Sequence, residues 1–271
     1  MNLVLYSDEN YQYQVKNFIA SLKYGGIENC KIIYYTIGFE SDIDDPRVIK
    51  VPFTKDPSGK KFEFYKPMIC LDALKYGEGQ FIYFDADITL SKRFASLEIQ
   101  GGLKYPLFCT GPIEYPHTYW QDSSGNKTIF DEARLMKYLG VEARSMFYIM
   151  TCFFTYDSFC SDFLEEWQSF CENKYLLKEW YSWFAFTDET IANVLLWKRE
   201  ATQNYGRRFI NTHKFSTFKL CEENDGIIKT FIDNNIYEQC EDSSKVCFYH
   251  ATKIKEENEK ILNYIDENSQ R

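Results

Sequence analysis

No stretch of the sequence approaches the ~18 consecutive apolar residues that a membrane-spanning helix requires. The N-terminus runs directly into the strand-like Leu3-Val4-Leu5-Tyr6, without the basic segment and small-residue cleavage site of a leader, so neither a targeting segment nor an anchor is expected. Basic residues are in deficit: 31 Lys and Arg stand against 40 Asp and Glu, for a formal net charge of −9. Nucleic acid and anionic membrane both demand a basic face, so neither is an expected partner. The nine cysteines lack any Cys-x-x-Cys pair, and Cys70, Cys109 and Cys152 sit in apolar surroundings. That pattern reads as buried free thiols in a reducing compartment, the cytoplasm, rather than as zinc ligands or a disulfide framework. Internal repeats, low-complexity blocks and interdomain linkers are also missing, which favours one domain over residues 1–271.

What is present is the balance of a globular chain. The length of 271 residues suffices for one large domain or two small ones. Hydrophobic residues make up 45% and charged residues 26%, which excludes a disordered chain. Aromatics reach 18%, with 21 Tyr and 23 Phe. Such richness fits either a carbohydrate-facing surface or a core heavy in Tyr and Phe.

The first half alternates strand and helix patterns. Leu3–Tyr6 is a short buried strand followed by the turn Ser7-Asp8-Glu9-Asn10. Val15, Phe18, Ile19 and Leu22 recur at helical spacing, and Gly25-Gly26 ends that helix. Lys31–Ile37 is rich in β-branched and aromatic residues and reads as a strand, with a shorter one over Arg47–Val51. A helix follows Pro67 through Met68, Leu71, Ala73 and Leu74, stopping near Gly77. Phe81-Ile82-Tyr83-Phe84 is an apolar run of the kind a doubly covered parallel strand shows. Strands separated by single helices predict a Rossmann-like α/β sheet flanked by helices. Ligands in such sheets sit beyond the carboxyl ends of the strands, which puts Asp8–Asn10 and Asp85–Asp87 on one rim. In the second half, Tyr105–Thr110, Phe147–Tyr156 and Val246–Tyr249 read as strands, Phe159–Phe170 and Thr190–Trp197 as helices. The tail from Lys253 is charged and amphipathic.

Asp85 and Asp87 stand two apart in a segment read as extended, which would turn both carboxylates to one side. Convergent carboxylates make a hard-oxygen site suited to Mn²⁺ or Mg²⁺, with diphosphate oxygens completing the shell. About one Asp-x-Asp is expected by chance in a chain this rich in Asp. Asp42-Ile43-Asp44 is such a second match, but no strand precedes it, and a polar turn favours Asp for its own reasons.

Lys66-Pro67 and its helix, followed by Phe81-Ile82-Tyr83-Phe84-Asp85-Ala86-Asp87-Ile88, resemble the DXD region of GT-A glycosyltransferases. Family 8, which holds glycogenin and bacterial lipopolysaccharide galactosyltransferases, is the most similar group. The turn Ser7-Asp8-Glu9-Asn10-Tyr11, which follows Tyr6, resembles that family's nucleotide-contacting Asp-Asp-Asn-Tyr turn. The same residues would also serve as a helix N-cap. Asp188-Glu189-Thr190-Ile191-Ala192-Asn193 resembles the family's Asp-Gln-Asp helix start. Glu189 departs from it towards family 6, the blood-group transferases, where this Glu is the proposed nucleophile or electrostatic stabiliser. Capping and the helix dipole would also place acidic residues there. His250, in Phe248-Tyr249-His250-Ala251-Thr252-Lys253, is similar to the family's C-terminal metal-ligating His, with Lys253 on the diphosphate. Neither His117 nor His213 has a comparable setting. Met150-Thr151-Cys152 falls where the family's sugar-contacting Asn-Ala-Gly stretch would lie, and matches none of it.

The resemblance implies a metal-dependent transferase moving a sugar from a nucleotide-diphosphate donor, a UDP-sugar, to a glycan or other hydroxyl acceptor. Asp85, Asp87 and His250 would hold Mn²⁺ or Mg²⁺. Tyr6, Asp8, Asn10, Tyr11 and Asp85 would bind the nucleotide, while Lys66 and Lys253 assist the diphosphate. Glu189 would act at the reacting centre with Asp188 beside it, by retention, or by inversion with one carboxylate as general base. The implied layout is a nucleotide-binding half over 1–110, an acceptor and sugar half over 111–250, and a charged C-terminal helix over 251–271. A nucleotidyltransferase would need a glycine-rich basic loop after the first strand, where this chain is acidic. A non-catalytic nucleotide-sugar-binding protein on the same scaffold is the remaining alternative.

Overall fold

β1 (Asn2–Ser7) is buried along its whole length. In the computed structural model it pairs in parallel with β2 (Lys31–Ile37) on one side and β4 (Phe81–Phe84) on the other. The structure describes residues 1–23, 25–56, 62–90, 104–110, 119–121, 127–129, 132–142, 149–172, 188–199, 215–218 and 248–251. A strand with parallel neighbours is covered on both faces, which is why Leu3, Val4 and Leu5 can all be apolar and wholly buried. β3 (Val48–Phe53) closes the other flank of β2 and takes Pro52 opposite Thr36. Proline removes a ladder donor and is tolerated on such an outer strand.

The chain divides into two compact units, each built from separated segments: residues 1–55, 81–99 and 212–271 in the first, 56–80 and 100–211 in the second. Residues 56–80 join the second unit, and 212–271 return to the first. The architecture is mixed α/β, as expected. In the first unit the strands of the main sheet are ordered β3-β2-β1-β4, and helices accompany them.

In the first unit, α1 (Gln12–Ser21) buries Gln14, Val15, Phe18 and Ser21. Phe18 meets Phe84 of β4 with ring centroids 4.9 Å apart. A small sheet, ordered β10-β11-β5, joins Phe215–Phe218, Phe248–Ala251 and Ile88–Leu90. α1 fastens this sheet at its end: Ser21 Oγ accepts from the Leu90 amide at 3.0 Å and donates to Phe18 O at 2.7 Å. Gly25 follows, where a Cβ would stand 2.9 Å from Leu90 Cδ1, and Gly26 then turns the chain at φ 65°.

In the second unit, β9 (Ile149–Tyr156) is buried throughout and runs antiparallel to β6 (Leu107–Thr110). α2 (Lys66–Ala73), α4 (Ser161–Glu172) and α5 (Asp188–Lys198) supply the helices, with α3 (Glu132–Leu139) and the hairpin of β7 (Tyr119–Gln121) and β8 (Lys127–Ile129). Phe108, Phe154, Phe163 and Trp167 form one aromatic cluster, with centroid separations of 4.8 Å for Phe108–Phe154 and 6.0 Å for Phe163–Trp167. Among the described residues the aromatics are largely core: Tyr34, Tyr35, Tyr65, Tyr83 and six Phe are fully buried with Trp167. Cys70, Cys152, Cys160 and Cys171 are buried free thiols, as expected; burial pushes the Cys160 thiol up to about 12. Among the described residues no helix is long and apolar enough to cross a membrane. The charged helix expected beyond Ala251 lies outside the described residues.

Gly25→Ala should drive a methyl into Leu90 and cost about 1–3 kcal/mol, as overpacked sites do. Urea unfolding should show this as a lower midpoint at unchanged slope.

Candidate functional site

Because β1 and β4 are parallel neighbours, their carboxyl ends open on the same edge of the sheet. Asp8 and Asp85, the residues that follow them, leave the sheet there. Asp8 caps the short turn Glu9–Tyr11, its Oδ1 accepting from the Tyr11 amide at 3.2 Å. The capping role foreseen for this turn is therefore present, while Glu9 and Asn10 stay exposed. Tyr6 is buried against Tyr83, with centroids 6.0 Å apart, which places its ring in the core beneath the turn. Ser7 Oγ and Tyr34 Oη form a buried hydrogen bond of 2.5 Å just below Asp8. Burial pushes the Tyr34 phenol up from 10.0 to about 12, against the Ser7 hydrogen bond and with help from Asp42 and Asp8.

Asp85-Ala86-Asp87 is not extended. β4 ends at Phe84, and Ile88 N donates back to Asp85 O at 3.2 Å, so the tripeptide is a turn leading into β5. The chain changes sheets here, from the parallel sheet to the small one, and a turn is needed to redirect it. Strand alternation therefore does not set the direction of the two carboxylates. Instead Tyr83 Oη donates to Asp85 Oδ1 at 2.6 Å, and Asp87 is 8% exposed. β5 pairs antiparallel with β11, and the register sets His250 opposite Ile88. The backbone of His250 thus stands beside the residue that follows Asp87, although 162 positions separate them in sequence. Asp85 and Asp87 are hard-oxygen donors of the kind that Mn²⁺ or Mg²⁺ takes; among the described residues no three His, Cys, Asp or Glu side chains are grouped to hold an ion. Lys253 lies outside the described residues. Asp42, of the competing Asp-x-Asp, is 66% exposed and pairs with Lys16 at 2.8 Å, the solvated loop that its context predicts.

In the second unit a polar cluster joins α2, β9 and the start of α5. Lys66, expected from sequence to assist a diphosphate, is part of this cluster. It is buried, and its ammonium donates to Thr151 O at 3.1 Å and Thr151 Oγ1 at 3.0 Å, with Asp188 Oδ2 at 3.1 Å. Three acceptors meet the three protons of an ammonium. Thr151 Oγ1 in turn donates to Asp188 Oδ2 at 2.9 Å. Glu189 reaches across to β9. Its Oε2 accepts from the Thr151 amide at 3.0 Å, on the strand opposite. Asn193 fixes the next helical turn, accepting from Ile149 N at 2.8 Å and donating to Ile149 O and Glu189 O at 2.9 Å each. Trp167 Nε1 donates to Asp188 O at 2.9 Å, tying the aromatic cluster to the same helix start. Thr151 is the residue that sequence reasoning passed over, because it was tested only as a counterpart to Asn-Ala-Gly.

No family model and no curated protein matches the chain. Among solved structures, 184 chains match. Galactosyltransferase LgtC in complex with donor and acceptor sugar analogs is similar at 10% identity over 72% of this chain and 70% of that one, with a TM-score of 0.44. An active-site mutant of LgtC is similar at 11% identity over 93% and 87%, with a TM-score of 0.46. The apo-form glycosyltransferase GlyE of Streptococcus pneumoniae TIGR4 is similar at 12% identity over 72% and 42%, with a TM-score of 0.39. At these levels of similarity the site stands on its own geometry.

Lys66→Met would leave Asp188 charged in the interior and should cost about 3–5 kcal/mol. Adding Asp188→Leu should cost less than the sum of the two single changes, a coupling that a double-mutant cycle in urea measures. Tyr34 makes a separate prediction. The folded state keeps its phenol proton up to about 12 while the unfolded chain releases it near 10.0, so stability should fall as pH rises through that window. Tyr34→Phe should remove that part of the alkaline slope.

Proposed function

We propose that the chain is a metal-dependent GT-A glycosyltransferase that moves a sugar from a UDP-sugar to the hydroxyl of a glycan or other acceptor, with retention of configuration. The observation that carries this reading is the shared edge of β1 and β4, where the Asp8 turn and the Asp85-Ala86-Asp87 turn leave parallel neighbours. The register that sets His250 opposite Ile88 supports it.

In the first unit, Asp85, Asp87 and His250 would hold Mn²⁺ or Mg²⁺, which when bound would neutralise the diphosphate leaving group. Asp8, Asn10 and Tyr11 would face the nucleotide, above the ring of Tyr6, with Asp85 contributing beside them. Lys253 would add a cation for the diphosphate. In the second unit, Glu189 would stabilise positive charge developing at the anomeric carbon, an interaction strongest in the transition state. Asp188 would act through position rather than as a base, since its carboxylate is already held by Lys66 and Thr151. That leaves Glu189 as the stronger candidate for the general base should the reaction invert. Lys66 would serve by holding Asp188 rather than by reaching the donor. The buried free thiols favour a reducing compartment, and we place the protein in the cytoplasm.

Thermal denaturation across a panel of nucleotide sugars, with and without Mn²⁺, tests the reading. A UDP-sugar at 100 times its dissociation constant should add ~2.7 kcal/mol, only with the metal present. Asp87→Ala should abolish the metal-dependent part. Release of UDP from the stabilising donor then identifies an enzyme rather than a binding module. The reading fails if no nucleotide stabilises the protein in a metal-dependent way.

A further inference from the structure

The register between β6 and β9 breaks once. Phe108 faces Phe154, but its neighbour Cys109 faces Met150, so residues 151–153 bulge out of that ladder. Bulges re-aim a strand locally and are concentrated beside functional sites. Here the backbone of Thr151 is turned to other partners: its amide donates to Glu189 Oε2 at 3.0 Å, and its carbonyl accepts from Lys66 Nζ at 3.1 Å.

The hydroxyl of Thr151 closes a ring between Lys66 and Asp188. An ammonium can only donate and an ionised carboxylate can only accept. The hydroxyl must therefore take its hydrogen bond from Lys66 and give its own proton to Asp188, at 3.0 and 2.9 Å. Only one proton arrangement satisfies all three groups. The ring fixes the side chain of Thr151, and through it the direction of the amide that Glu189 accepts. Asn193 holds Glu189 from the helix side, through its backbone carbonyl, at 2.9 Å.

We propose that Thr151 is a positioning residue that fixes the carboxylate of Glu189 in one orientation, its hydroxyl locked by Lys66 and Asp188 and its amide bound to Glu189. The proposal rests on the transferase reading for its effect on rate, but the clamp itself is a property of the second unit. A hydroxyl is what the position requires. Valine has the same shape but can neither donate nor accept, and it would leave Lys66 and Asp188 each short of a partner. Serine keeps the ring.

The test compares Thr151→Val and Thr151→Ser with the wild type, using full-length protein, Mn²⁺ and the donor that responds in the thermal panel. Thr151→Val should lower kcat about tenfold or more while donor KM stays within about twofold, the signature of an interaction made in the transition state. Thr151→Ser should restore kcat to within about threefold of the wild type. An unchanged kcat in a folded Val variant overturns the proposal, as does a Ser variant that fails to rescue. If the Val variant does not fold, Thr151→Ala takes its place against the same Ser control. If the wild type transfers no sugar from any donor, the transferase reading fails separately. The clamp is then read by amide hydrogen exchange at Thr151, faster in the Val variant and wild-type-like in the Ser variant; equal rates in all three overturn it.

Discussion

Parallel pairing between β1 and β4 is the constraint from which the first unit follows. Two strands running the same way cannot be joined by a tight turn, so the chain between them must leave the sheet and return. It does so by way of α1, β2, β3 and α2, and α1 covers β4 through Phe18 and Phe84. The same constraint brings the carboxyl ends of both strands to one edge. Asp8 and Asp85 thereby leave the sheet at one edge although they stand 77 positions apart in the chain. The turn at Asp85–Ile88 then hands the chain to a second sheet, where β11 delivers His250.

The second unit is organised by the cost of burying charge. Lys66 and Asp188 are 4% and 5% exposed at their side chains, a setting that an unpaired ion could not hold. Their mutual attraction offsets desolvation only with good geometry and saturated hydrogen bonds. Thr151 supplies the remaining partners from a bulged strand, and Trp167 and Asn193 hold the helix start in register with it. The result is that α2, β9 and α5 meet in a fixed arrangement at the point where Glu189 emerges. Hydrophobic packing in the Phe108–Phe154–Phe163–Trp167 cluster brings β6, β9 and α4 together without direction; the polar ring sets the orientation of α2, β9 and α5.

Much of this was legible from residues alone where the signal was local. The apolar run Phe81–Phe84 is a buried parallel strand, Lys31–Ile37 is a strand with the bounds expected, and the Asp-x-Asp without a preceding strand is an exposed loop. The ambiguity over aromatics was not local. A Tyr or Phe carries the same sequence signal in a core as on a sugar-facing surface, and only packing assigned Tyr34, Tyr83 and Trp167 to the interior. The partners of Lys66 were not local either. A lysine before Pro67 looks solvated or ligand-facing, because the carboxylate that balances it lies 122 positions away.

The sequence by itself determined the alternation of strands and helices, the acidic character of both turns and the presence of Asp85, Asp87, Glu189 and His250. These rest on periodicity, turn chemistry and residue type, which are properties of short segments. Tertiary structure alone decided that Asp85-Ala86-Asp87 is a turn rather than a strand, that His250 stands opposite Ile88, and that Thr151 joins Lys66, Asp188 and Glu189. Each of those depends on strand register or on the pairing of buried charges across long loops. Such pairings are chosen by the free energy of the assembled interior, not by any window of neighbouring residues.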